Sequence, residues 1–310
     1  MCDVTETGVL YTEHADLRAA TPVASLWSYE TCVRGPVLRP VVRNRDGNNE
    51  YWLERSDPLL NTILPGTGVS LVVTFGDAWA TGRSLAISAL LPRVSVIGPV
   101  TQPRILRVGK HVQAVGAVLP AVLTASVFGV PASEVIDRIV PLEDMWTRNE
   151  VESLLESLSC LHTRRQMAKL CGELVVRIRQ RGDCETIGQM ATRLITLRGG
   201  RVSIDQLARS HGLSRKQFAR RFSAAAGLTP KVFARITRFQ SLVHALLSSD
   251  VSEWVTIAPA VGFYDQAHMI NEFRAFAGSS PTRFFQPHDD LMDSSAVQLR
   301  GRPSEWVRRS

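Results

Sequence analysis

Cysteine is sparse in this chain and nowhere arranged for chemistry. Cys2, Cys32, Cys160, Cys171 and Cys184 include no C-x-x-C pair, so neither a zinc site nor a disulfide framework is expected. A reducing, intracellular setting is the plain reading. The histidines, His14, His111, His162, His211, His244, His268 and His288, never fall at the H-x-H or H-x-x-x-H spacing of metal ligands. "GTG" at Gly66 to Gly68 is followed by no Gly-Lys-Ser/Thr, which excludes a phosphate loop. "GDCET" places no histidine near Cys184, so that thiol is at best a weak nucleophile. These absences argue against an enzyme, a metal and a cofactor.

Long apolar runs are also scarce. Met1 to Ala20 holds charges and no apolar core, so no signal peptide is expected. Only "VQAVGAVLPAVLTASVFGVPAS" (Val112 to Ser133) is uncharged for long enough to span a bilayer. Pro120 and two glycines break it, and it reads better as a strand followed by a short helix starting at proline. No membrane span is expected.

Acidic residues are missing where basic ones gather. Arg201 to Gln240 holds nine Lys and Arg against one acid, and Arg201 to Phe285 holds eleven against five. "GLSRKQFARRFSAAAGLTPKVFARITRF" (Gly212 to Phe239) has no acid at all. A net charge of +7 concentrated in this way points to an acidic partner.

The chain of 310 residues is long enough for two domains. Residues 1–145 look strand-rich: "VSLVVTF" (Val69 to Phe75) is a β-branched run between turn sequences, and "PVLRPVV", "RVSVIGPV" and "RILRVG" add short apolar segments. Such spacing predicts an antiparallel sheet or a barrel-like domain. "PASEVIDRIVPLEDMW" carries helical spacing through Val135, Ile139 and Leu142, interrupted by Pro141. Residues 146–198 read as a helical linker, with amphipathic helices between Asn149 and Gln180. Residues 199–285 form the basic helical domain, and 286–310 are read as a disordered tail able to act as a weak electrostatic arm. The overall class is α+β: a β-rich front half with flanking helices and an all-α back half. Trp27, Trp52, Trp79 and Trp146 are expected to pack, and Cys171 to be buried or half-buried on its helix.

The basic region repeats itself. "LARSHGL" (Leu207 to Leu213) aligns with "IAPAVGF" (Ile257 to Phe263), and "FARRFSAAAGLTPKVF" (Phe218 to Phe233) with "MINEFRAFAGSSPTRF" (Met269 to Phe284). Each copy reads as helix, glycine turn, helix. In the first, Ser203 caps a helix from Ile204 to Ser210, Gly212 makes the turn, and Ser214 caps a helix from Arg215 to Ala226. At about 100° per residue, Phe218, Phe222 and Ala225 share one face while Lys216, Arg220 and Ser223 centre the other, flanked by Gln217 and Ala219. Aromatics inward and cations outward is what a groove-reading helix needs. Arg can donate bidentately to guanine, Lys can reach guanine or phosphate, and Gln can pair with adenine. A connecting helix from Pro230 to Leu247, with Phe233, Ile236, Val243 and Leu247 inward, spaces the two units by roughly 27 Å, within reach of successive major grooves.

These features resemble the AraC/XylS family of bacterial transcription regulators. The likeness rests on two helix-turn-helix units joined by a long helix, with "IA-x-x-x-GF" at Ile257, Ala258, Gly262 and Phe263, and "G-x-S-P-x-x-F" at Gly278, Ser280, Pro281 and Phe284. It covers about Arg193 to Phe285. More loosely, "ILPGTGVSLVV", "VIGPVTQP" and "GVPASEVIDRIVPLEDMW" are similar to the β-rich sensing or dimerising domain found in one branch of the family. The resemblance implies a bacterial, cytoplasmic DNA-binding regulator, nucleoid-associated when bound. The partners it implies are DNA, a small-molecule effector, RNA polymerase if the protein activates, and a second copy in a homodimer. By position, the groove-facing residues fall on Lys216, Ala219 and Arg220 in the first unit and on Ala267, His268, Ile270 and Asn271 in the second. Arg215, Gln217, Arg221, Gln266 and Arg274 complete the candidate DNA-binding set. The second unit departs from the family pattern: Asn271 replaces an arginine, Met269 an aromatic, and Pro259 interrupts the first helix. The first unit is therefore expected to supply most base readout. An enzyme, such as a DNA-repair activity, fused to the same module is the alternative, but the reactive cysteine motif it needs is absent.

Overall fold

The computed structural model describes residues 10–13, 25–30, 52–54, 60–84, 87–107, 112–180, 186–248 and 254–285. The front half is built on β5 (Gly68–Gly76), whose β-branched run is buried on both faces. Because successive side chains point to opposite sides of a strand, its residues divide between two cores. Val69, Leu71 and Val73 join one apolar cluster and Val72 another. β5 pairs antiparallel with β10 (Val112–Pro120) along nine residues and with β8 (Val94–Ile97) on its other side. β2 (Ser25–Glu30) and β1 (Leu10–Glu13) extend the sheet beyond β10, and β11 (Ile139–Pro141) closes its far edge.

A second antiparallel sheet runs β3 (Trp52–Glu54), β4 (Leu60–Ile63), β9 (Arg104–Arg107), β6 (Ala80–Ser84) and β7 (Ile87–Leu90). Ile63, Trp79 and Leu106 meet Val72, Ala114 and Val118 between the sheets. The expected barrel-like closure is not what forms: among the described residues there are two open sheets, stacked by the double-sided burial of β5 and β10. The uncharged run once weighed as a membrane span is β10 followed by a 3-10 turn (Ala121–Leu123) and α1 (Thr124–Phe128). No helix among the described residues is long and apolar enough to cross a membrane.

Helical spacing between Val135 and Leu142 misleads. The segment is a 3-10 turn (Ala132–Glu134), then β11, then a second 3-10 turn (Leu142–Asp144). Pro131 and Pro141 limit any helix. Asp137 takes a left-handed φ of 53°, accepts the Thr101 N–H at 2.7 Å, and receives Arg104 at its carbonyl. Those contacts pull the segment onto the edge of β8.

The other face of the larger sheet is covered by α2 (Arg148–Ser159) and α3 (Thr163–Gln180), through Leu154, Leu158, Leu170 and Leu174. Thr147 and Glu150 form a capping box that starts α2. The Glu150 carboxyl also accepts from Arg177 at 2.7 Å, and that guanidinium lies 3.4 Å from the centre of the Trp146 ring. Hydrogen bonds from Thr147 and then Arg177 hold Glu150 at about 2. Trp79, Trp146 and Cys171 are buried; the side chains of Trp27 and Trp52, with Cys184, the "PVLRPVV" segment and residues 286–310, lie outside the described residues.

α4 (Ile187–Leu197) belongs to the back half by packing, with Ala191 and Ile195 in the carboxy-terminal core. That core continues through α5 (Ile204–Ser210), α6 (Arg215–Ala226), α7 (Pro230–Ser248), α8 (Trp254–Val261), α9 (Gln266–Ala277) and α10 (Pro281–Phe285). Phe233, Ile236 and Val243 of α7 are buried in it, while the side chain of Leu247 lies outside the described residues.

Candidate nucleic-acid interface

The first unit is set by local sequence. Ser203 accepts from the Gln206 N–H and starts α5. Gly212, with φ 65°, permits the reversal in which the Leu213 N–H donates to the Ala208 carbonyl at 3.0 Å. Ser214 then starts α6: its hydroxyl accepts the Gln217 N–H, and Gln217 Oε1 accepts the Ser214 N–H at 3.0 Å. Gln217 is thus part of a capping box, with its amide oxygen already engaged. Reading adenine with both amide atoms would require that box to open.

Phe218 and Phe222 are fully buried, and Phe222 meets the Phe233 ring edge-on at 5.4 Å. On the opposite side Lys216, Arg220 and Arg221 are exposed, and none pairs with an acid among the described residues. Arg215 makes an exposed pair with Asp205 at 3.3 Å, of the kind worth less than about 1 kcal/mol in water. Ala219 is half-buried between the two faces. Among the described residues Lys216, Arg220 and Arg221 thus stand without an acidic partner on one side of a helix whose other side is core.

The second unit repeats the plan. Gly262 (φ 91°) makes its turn and Gly278 (φ 80°) ends α9, as Gly212 and Gly227 (φ 78°) do in the first. Asp265 caps α9 by accepting the His268 N–H at 2.7 Å. Met269 and Phe273 are buried, and Phe284 meets Phe273 at 5.3 Å. Gln266, Ala267, His268, Asn271 and Arg274 are exposed, and Ile270 is half-buried. α8 runs through Pro259 without ending there. The carbonyls of Pro259 and Ala258 accept from Gly262 and Phe263, and Ala260 accepts from Arg201 Nη1 at 2.9 Å.

α7 joins the units. Its nineteen residues give roughly 28 Å of rise, short of the ~34 Å helical repeat of DNA. Behind the first unit, the 3-10 turns of the front half pack on α6, with Val122 and Ile136 against the carboxy-terminal core. A Cβ on Gly227 would lie 2.9 Å from the Ala132 carbonyl carbon, and one on Gly188 of α4 would lie 2.3 Å from Ala225 Cβ. This packing meets the back of α6 and leaves Lys216 and Arg220 open to solvent.

Two features escaped the sequence reading. Tyr264, in the turn just before α9, is 91% exposed. Glu272 on α9 is paired with Arg235 of α7 by two hydrogen bonds, Nε to Oε2 at 2.9 Å and Nη2 to Oε1 at 2.7 Å. The Arg235 bond holds Glu272 below the usual carboxylate range, and Arg235 is raised in turn. The "NEFR" of the repeat offered a signal for Glu272, but its partner lies 37 residues earlier.

Residues 207–287 match the family model described as a helix-turn-helix domain. The carboxy-terminal region is accordingly of the helix-turn-helix class. No curated protein matches the chain. Among solved structures it is similar to ToxT from Vibrio cholerae, at 7% identity over 76% of this chain and 92% of that one, with a TM-score of 0.40. It is similar also to unsaturated fatty acid bound ToxT from the same organism, at 9% identity over 76% and 89%, with a TM-score of 0.41. The AraC-like transcriptional activator CuxR is similar at 14% identity over 82% of this chain and 99% of its own, with a TM-score of 0.24. Scores this low carry no functional argument, so the class rests on the matched domain and on the geometry above.

Proposed function

We propose that the protein is a sequence-specific transcription regulator whose two reading helices, α6 and α9, enter successive major grooves on one face of DNA. The observation that carries this reading is the unpaired exposure of Lys216, Arg220 and Arg221 on a helix whose opposite face is buried aromatic core. Lys216, Ala219 and Arg220 address base edges, with Arg220 the bidentate donor to guanine. Arg215 and Arg221 contact phosphate, where Arg is a geometric match. Gln217 stays in its capping box and offers only its amide N–H groups. In the second unit Ala267, His268, Ile270 and Asn271 face the groove, while Gln266 and Arg274 hold the backbone.

Residues 199–285 act as the DNA-binding domain and residues 1–145 as the sensing and dimerising domain, with 146–198 connecting them and α4 packed on the carboxy-terminal core. Contact between the front-half turns and α6 supports a route by which a small-molecule effector or a second copy modulates binding. The working partners are then the operator, RNA polymerase where the protein activates, and the effector.

Selection of binding sites from random duplexes, followed by footprinting of the full-length protein on upstream DNA, tests the reading. A bipartite site with half-sites about one helical turn apart is expected. Equal binding to all duplexes at every salt concentration would sink it, because non-specific binding is the salt-dependent phosphate term alone.

A further inference from the structure

We infer that Arg235, which faces no groove, is a positioning residue that sets the base preference of the second unit through its clamp on Glu272. The inference rests on the reading just given and assigns a role within it.

The apolar contacts that hold α9 to α7 are Phe239 against Phe273 at 5.5 Å and against Phe276 at 5.2 Å. Such contacts are strong but weakly directional, and they tolerate a small roll of one helix on the other. The clamp does not. Two parallel N–H to carboxylate bonds fix both the distance and the plane of the carboxylate. Glu272 is only 17% exposed at its side chain, and the same guanidinium lies 5.1 Å from the centre of the Phe276 ring, one turn along α9. Glu272 is next in sequence to Asn271, so fixing its azimuth fixes Asn271 about 100° away.

The charge argument runs the same way. An unpaired carboxylate on a helix approaching phosphate would be repelled, and Arg235 neutralises it. Arg238, one turn along α7, donates to the Gly200 carbonyl at 3.1 Å and stands 5.7 Å from the Phe263 ring centre. Arg201, in the same stretch as Gly200, reaches Ala260 and lies against Gly262, where a Cβ would meet its Cγ at 2.6 Å. Three arginines thus tie the second unit to α7 and to the entry of the first. Among the described residues the first unit shows no such two-bond clamp on its reading helix: the repeat places exposed Arg221 where Glu272 stands.

The test is a base-substitution scan across both half-sites with the full-length protein, comparing the natural chain with Arg235→Lys and Glu272→Gln. Lysine keeps the charge without the fork, and glutamine keeps the shape without the charge. Each variant is expected to flatten the preference at the second half-site by about tenfold, the scale of one lost specific contact, while the first half-site profile stays as it was. Thermal melting separates this from unfolding, which would weaken both half-sites together. Profiles unchanged at the second half-site, or lost equally at both, overturn the inference while leaving the regulator reading standing. A natural chain that selects no site at all overturns both.

Discussion

The two helix-turn-helix units share a plan but are held in place by different physics. Both have a reading helix of twelve residues, a left-handed glycine at the turn and another at the end, and buried phenylalanines on the inner face. The first is wedged: Gly188 and Gly227 allow its helix to come within direct contact of α4 and of the front half. The second is clamped: Gly278 has open space around it, and three arginines add directional bonds to its apolar contacts. A glycine contact of this kind admits no added atom, whereas an ionic clamp fixes orientation, leaves open space beside it and depends on charge. Duplicated units can therefore diverge in mechanics while keeping their shape.

The largest test of that difference is removal of an inner phenylalanine. Phe222→Ala and Phe273→Ala should each cost about 3–5 kcal/mol of local stability. The first should also lower the melting of the front half, and the second should not, as hydrogen exchange would resolve. Glycine substitution sharpens the contrast. Gly227→Ala should cost about 2–4 kcal/mol, combining left-handed strain with overpacking on Ala132. Gly278→Ala should cost only the strain, about 1–2 kcal/mol. Equal losses in denaturant melts would remove the distinction between wedge and clamp.

On DNA, Arg220→Ala should lose about 1–3 kcal/mol of specific binding and relax preference at its own position. Asn271→Ala should lose less, because it replaces the family's arginine with a shorter, neutral group. The reverse order in titrations would transfer the leading role to the second unit. Lys216→Ala should leave the salt slope of binding unchanged, because the side chain addresses base edges; a slope smaller by about 1 would move it to phosphate.

The smallest effect concerns acid. Glu272 is held below the ordinary carboxylate value by the Arg235 hydrogen bonds, with Arg238 and His268 also facing it. A lowered folded value means its stabilisation is complete above the unfolded value, about 4.3, and is lost as pH falls through the lowered one. The pair is partly exposed, so the change should stay near or below about 1 kcal/mol. Amides of α9 should lose protection in that window before those of α6, whose reading helix carries no acid. Simultaneous loss would count against the clamp.

Much of the reading region was legible because its determinants are local. Ser203, Gly212 and Ser214 specify caps and a turn within a few residues, and the phenylalanines at Phe218 and Phe222 fix which face turns inward. The same logic failed between Val135 and Leu142, where apolar spacing compatible with a helix was overridden by prolines, Asp137 and an available strand edge on β8. It also left the double-sheet stacking unseen, since a strand buried on both faces carries no alternation to say what covers each side. Gln217 was legible as a polar residue on the outward face, yet not as half of a capping box. The side-chain partner it finds is three residues away, whereas that of Glu272 is thirty-seven.

By itself, the order of residues determined that this protein has two glycine-punctuated helical pairs with cations on one side, because caps, turns and periodicity act over a single helical turn. Which bodies those pairs lean on was decided only by the folded chain. The wedge of Gly227 on Ala132 and the clamp of Arg235 on Glu272 join residues far apart along the sequence, and only packing in three dimensions brings them within reach.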